Sequence, residues 1–98
     1  MTLVIDPEKN EIRALRQVAD WRGKRVIEIG CGEGRLTLRL ARLGAFVTAI
    51  DPDAKLIRAA RRKLPERFAE RVRYHVGKAE QLKHSDQAYD LAVFAWVL

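Results

Sequence analysis

The chain has 98 residues, 48% of them hydrophobic, with 19 Lys and Arg against 13 Asp and Glu for a formal net charge of +6. That is one small domain with enough apolar residues for a core, so wholesale disorder is excluded. No apolar run reaches the roughly 20 residues of a membrane span, the charged N-terminal stretch does not read as a secretory signal, and the single cysteine, Cys31, excludes an internal disulfide and a cysteine-built zinc cage.

Residues 1–22 read as a helical lead-in. Asp6-Pro7-Glu8 carries the signals of a helix start, since Asp caps free N–H groups, Pro fits the first turn and the acid suits the dipole. Ile12, Leu15, Val18 and Ala19 then share one face, and Trp21-Arg22-Gly23-Lys24 breaks the helix. Arg25 to Ile29 is a β-branched run that stops at Gly30. Leu36, Leu40 and Leu43 make a helical stripe with Gly44 as its C-terminal stop. Phe46 to Ile50 predicts the second strand, ended by Asp51-Pro52. A helix from about Asp53 to Leu64 follows, with Ile57, Ala60 and Leu64 inward and Pro65 as the breaker. Glu66 to Glu70 adds one further turn. Val72 to Val76 alternates as a third strand, residues 77–88 are mostly loop, and Leu91 to Leu98 is an unbroken apolar run, the pattern of a strand covered on both faces. This alternation predicts an α/β domain: a mostly parallel sheet with right-handed crossovers and helices on both faces. In such a sheet a ligand sits at the carboxyl ends of the strands.

The chemistry-bearing residues fall at that end. The first strand finishes in Glu28-Ile29-Gly30-Cys31-Gly32-Glu33-Gly34, where glycines permit a sharp turn and close backbone approach, and a helix N-terminus follows. Asp51 closes the second strand about twenty residues after the first glycine, the place of an acid that takes both hydroxyls of a ribose. A glycine loop with a ribose acid points to an adenosine-type cofactor. A dinucleotide fingerprint needs glycine where Arg35 stands, and a pyrophosphate would meet the charges of Glu28 and Glu33. A cofactor bearing a sulfonium and an ammonium group welcomes those acids, so S-adenosylmethionine is expected over NAD.

Val26-Ile27-Glu28-Ile29-Gly30-Cys31-Gly32-Glu33-Gly34 resembles the cofactor signature of class I S-adenosylmethionine-dependent methyltransferases, most of all those acting on small molecules. The likeness runs from about Lys24 to Leu98. It implies a Rossmann-like three-layer sandwich, cut off after its fourth strand, and S-adenosylmethionine-dependent methyl transfer to a small-molecule acceptor. It further implies that Gly30, Cys31, Gly32 and Gly34 line the methionine end of the cofactor and that Glu28 organises the loop. Asp51 would hold the ribose and Pro52 would pack by the adenine. Gly77-Lys78-Ala79-Glu80 resembles the adenine-binding turn, with the Ala79 backbone and Glu80 as contacts and Lys78 where an acid is common. Tyr89-Asp90 to Phe94 resembles the fourth strand. The rival functions are a nicotinamide-dependent oxidoreductase and a non-catalytic binding module.

Plainer roles stand beside these. Asp51 also caps the helix that follows it. Cys31 reads as a small loop residue rather than a nucleophile, and His75 and His84 have no metal partner at recognisable spacing. Trp21, Phe94 and Trp96 read as packing. Arg35, Arg39 and Arg42, and Lys55, Arg58, Arg61 and Arg62, lie opposite apolar stripes, so they read as solvated helix backs rather than a nucleic-acid footprint. The absence of an Asn-Pro-Pro-Tyr type motif at Ala95-Trp96-Val97-Leu98 disfavours base N-methylation. Residues 91–98 would sit at an open sheet edge with no charge or proline to blunt it; this predicts a longer enzyme, or association of a partner strand with that edge. No catalytic residue stands out, and the setting expected is cytoplasmic.

Overall fold

The computed structural model describes residues 2–5, 20–78 and 89–95, and the architecture is that of those residues. Its elements are β1 (Thr2–Ile5), β2 (Arg25–Ile29), α1 (Arg35–Arg42), β3 (Phe46–Asp51), α2 (Ala54–Lys63), a 3₁₀ turn (Glu66–Phe68), β4 (Val72–Val76) and β5 (Leu91–Ala95). The strands form one sheet in the order β1-β5-β2-β3-β4, with all four pairings parallel.

The register explains where the core lies. Val26 pairs with Val47 and Leu91, Val47 with Val72, Ala49 with Tyr74, and Glu28 with Val93. Side chains alternate along a strand, so these residues share one face. The buried cluster joins that face to Leu36, Leu40 and Ala41 of α1 and to Ile57 and Ala60 of α2. Both helices therefore cover the same side, as two right-handed crossovers stepping in one direction must. The expected helix from Asp6 lies outside the described residues.

Local sequence sets the helix ends. Gly44 takes φ +96, its N–H donates to the Ala41 carbonyl and the Ala45 N–H to the Leu40 carbonyl, which closes α1 in a Schellman motif. Asp53 caps α2 by accepting from the N–H groups of Lys55 at 2.9 Å and Leu56 at 3.4 Å. Leu64 leaves helical geometry ahead of Pro65.

Two expectations change. The sequence put only helix in the lead-in, yet Thr2–Ile5 is a strand that runs parallel to β5, Thr2 opposite Ala92 and Ile5 opposite Ala95. The fourth predicted strand is consequently not an open edge: β5 lies between β1 and β2. Its described extent is Leu91–Ala95, and residues 96–98 lie outside the described residues. Among the described residues no helix is long and apolar enough to cross a membrane.

Candidate functional site

Strand order reverses at β2, because the chain moves from β2 toward β3 and β4 and then returns to lay β5 on the opposite side of β2. The carboxyl ends of β2 and β5 thus flank the crevice where open parallel sheets bind ligands. The glycine loop sits there. Gly30, Gly32 and Gly34 have φ of +80, +56 and +91, values that side chains rarely adopt. A Cβ on Gly30 would come within 3.2 Å of the Ala95 carbonyl, whereas Gly32 faces open space.

The loop is tied to the end of β3. The N–H groups of Gly30 and Cys31 both donate to the Ile50 carbonyl, at 2.9 and 3.0 Å. The Gly32 N–H donates to Oδ2 of Asp51 at 3.0 Å, and the Asp53 N–H to Oδ1 at 2.8 Å. Asp51 is only 8% exposed, and each of its oxygens keeps a further lone-pair direction beyond these bonds. Pro52 is exposed beside it. Val76, 52% exposed, pairs in register with Asp51 and offers an apolar surface next to the carboxylate. The sequence reading passed over Val76 as an ordinary strand residue; its place opposite Asp51 follows only from the β3–β4 register. Ala79 and Glu80 lie outside the described residues, as does His84.

Glu28 behaves differently from the expectation of a charge facing the loop. It is fully buried under α1, Oε1 accepts a short hydrogen bond from the Thr37 hydroxyl, and Oε2 has no described partner. Burial pushes its carboxyl up to about 7, helped by the neighbouring charge of Asp51 and opposed by the Thr37 bond. Glu33 is exposed and paired with Lys63 at 2.8 Å. The simple contrast between acids that repel a pyrophosphate and attract a cation is therefore weakened: one carboxyl is turned inward and the other is neutralised. Burial, with the charges of Glu28 and Asp51, pushes the Cys31 thiol well up, so it is not a nucleophile at neutral pH.

Other residues fall at the far end or on the outside. Asp90 accepts the Arg25 N–H at 2.8 Å and pairs with its guanidinium, which fixes the start of β5 against β2 away from the glycine loop. A cleft at the amino ends of the strands, lined by Arg25, Phe46, Thr48, Arg71, Arg73 and Tyr89, borders none of the predicted cofactor contacts. Arg35, Arg42, Lys55, Arg58 and Arg62 are exposed on the helix backs, while Arg61 reaches over to donate to the Tyr74 carbonyl at 2.6 Å. His75 is exposed, and among the described residues no group of metal-binding side chains converges.

The loop and Asp51 suit an adenosine-bearing group: a backbone cradle at the switch point, and a preset carboxylate with acceptor capacity to spare. Comparison with known proteins agrees. A family profile described as a methyltransferase domain matches residues 26–98. The magnesium-protoporphyrin O-methyltransferase of Rhodobacter capsulatus is 45% identical over 58 residues, 59% of this chain and 26% of that protein. A ubiquinone biosynthesis O-methyltransferase of Azorhizobium caulinodans is 34% identical over 84 residues, 86% of this chain and 32% of its own length. The magnesium protoporphyrin IX methyltransferase of Synechocystis, solved with bound S-adenosylmethionine, superposes with a TM-score of 0.71 at 27% identity, covering 85% of this chain and 39% of that one. The chain thus spans about a quarter to a third of the curated relatives it matches. With a family match over most of its length and the glycine loop at the switch point of a parallel sheet, the chain belongs to the class I S-adenosylmethionine-dependent methyltransferases.

Proposed function

We propose that this chain is the cofactor-binding part of an enzyme that transfers a methyl group from S-adenosylmethionine to a small-molecule acceptor. The observation that carries the reading is the junction of the glycine loop with Asp51, where the Gly32 N–H bonds the carboxylate that closes β3. Gly30, Cys31, Gly32 and Gly34 would line the methionine end, the free acceptor positions of Asp51 would take the ribose hydroxyls, and Pro52 and Val76 would flank the base. Ala79 and Glu80 belong to the same proposal as adenine contacts on the strength of the sequence resemblance. Glu28 would act from beneath, supporting the loop rather than touching the ligand.

When bound, the cofactor supplies a methyl group already activated on a sulfonium. Such a transfer asks the protein for alignment and for exclusion of water more than for acid–base chemistry, so the contribution of these residues is to bind and orient. The Rhodobacter capsulatus and Azorhizobium caulinodans relatives are O-methyltransferases by name, which favours an oxygen acceptor. The basic helix backs point away from the crevice, which favours a metabolite over a nucleic acid. Cys31, held as a buried thiol, suits a reducing, cytoplasmic setting.

Calorimetric titration with S-adenosylhomocysteine and with NAD in parallel tests the reading. Binding of S-adenosylhomocysteine alone is expected; binding of NAD alone would overturn it.

A further inference from the structure

Three buried polar side chains line up beneath the loop for a reason that the sheet register supplies. Glu28 pairs with Ala49 and Ala49 with Tyr74, so the Glu28 and Tyr74 side chains leave the same face at one level with only the Ala49 methyl group between them. α1 lowers Thr37 into that gap. Its hydroxyl donates to Oε1 of Glu28, and it opposes the burial that pushes the Tyr74 phenol up. Thr37 is 0% and Tyr74 4% exposed. The Tyr74 hydroxyl also presses on Gly34, the N-cap of α1, where an added Cβ would collide with it.

Packing alone would be served as well by Phe and Val at these two positions, and buried hydroxyls cost free energy unless they are used. Among the described residues Thr37 is the one hydrogen-bond donor that reaches the Glu28 carboxyl. We propose that Tyr74 and Thr37 are positioning residues for the cofactor: the phenol hydroxyl fixes Gly34 from below, and the Thr37 hydroxyl holds Glu28 under the loop. The proposal rests on the cofactor reading above, but neither residue belongs to the signature that suggested it.

Among the described residues, the titratable groups that act on or feel Glu28 are Asp51 of β3, Cys31 of the loop and Tyr74 of β4; α1 brings Thr37, and β5 brings Val93. With Thr37 as the donor to Glu28, its loss raises the pH at which that carboxyl ionises. A ligand carrying an ammonium group is then held less well at neutral pH, and the pH profile of binding moves upward.

The test is titration of the 98-residue chain with S-adenosylhomocysteine across about pH 6 to 9, for the unaltered protein and for Tyr74→Phe, Thr37→Val and Thr37→Ser. Tyr74→Phe and Thr37→Val are each expected to weaken binding about three- to tenfold. The pH profile should move upward in Thr37→Val, and Thr37→Ser should restore both. Affinity unchanged in Tyr74→Phe and Thr37→Val, or a loss that follows thermal stability alone with the pH profile unmoved, would show that the hydroxyls merely pack. Failure of the unaltered protein to bind S-adenosylhomocysteine would overturn the cofactor reading and this role with it. If a variant is too unstable to titrate, amide exchange at residues 32–36 of ligand-free Tyr74→Phe decides: faster exchange than in the unaltered protein supports the role, and equal exchange overturns it.

Discussion

The cap of α2 that the sequence assigned to Asp51 is made by Asp53, and the Asp51 side chain instead ties two segments together. It accepts the Asp53 N–H, which orders the approach to α2, and the Gly32 N–H, which pins the loop. Asp51→Ala is expected to weaken S-adenosylhomocysteine binding by about 1–3 kcal/mol, the scale of hydrogen bonds to a charged acceptor; calorimetry that finds equal affinity would remove the ribose role. Glu28 governs a different property. Its native carboxyl titrates near 7 against an ordinary 4.5, so the folded state keeps a proton that the unfolded chain has released. Stability should therefore fall as pH rises from about 4.5 to 7 and level off above, by about 3 kcal/mol from this group. Arg25 and Lys63 hold Asp90 and Glu33 below the usual carboxylate range, which works in the opposite sense, contributing above that range and fading on acidification. Those pairs are exposed, so Glu28 dominates. Urea unfolding at pH 5 and pH 8 should show the fall in the unaltered protein and its loss in Glu28→Gln.

The elements obey the punctuation of the sequence closely. Asp53→Ala should cost about 1 kcal/mol through the α2 cap, measured by thermal or urea unfolding. Gly44→Ala should cost about 1–2 kcal/mol from the left-handed backbone alone. A Cβ there would also come within 3.1 Å of the Arg22 Cα, so a stability unchanged by that substitution would mean that the Schellman ending of α1 had been misread. Both helices, the 3₁₀ turn and four of the five strands were legible because apolar spacing, capping acids and glycine or proline stops are local signals. The loop and Asp51 were legible too, since tight turns demand glycine wherever they occur. The inward turn of Glu28 was not. It depends on Ala49 leaving a gap and on Thr37 filling it, and neither fact is visible until β2, β3 and α1 are packed together.

Over the whole molecule, the piece that sequence missed is β1. Thr-Leu-Val-Ile is too short to show a period, and what makes it a strand is pairing with residues at the other end of the chain, Leu3 opposite Val93 and Val4 opposite Phe94. That pairing covers the side of β5 that would otherwise present unpaired N–H and C=O groups beside an uncharged segment. Removing residues 1–5 is expected to lower the unfolding midpoint and to produce concentration-dependent association in sedimentation velocity. A truncated chain that stays monomeric and equally stable would show that β1 contributes nothing to the sheet. On the opposite border the β4 edge is blunted by the Arg61 guanidinium on the Tyr74 carbonyl and by exposed Arg73 and His75.

The two backbone amides already seated on Asp51 have a kinetic corollary. A carboxylate locked before any ligand arrives needs no rearrangement on encounter, so little ordering entropy is lost by the protein at that point. Capture of an adenosine compound should follow simple one-step kinetics, with an observed rate rising linearly with ligand concentration. Analogues lacking a ribose hydroxyl should then differ in how fast they leave rather than in how fast they arrive.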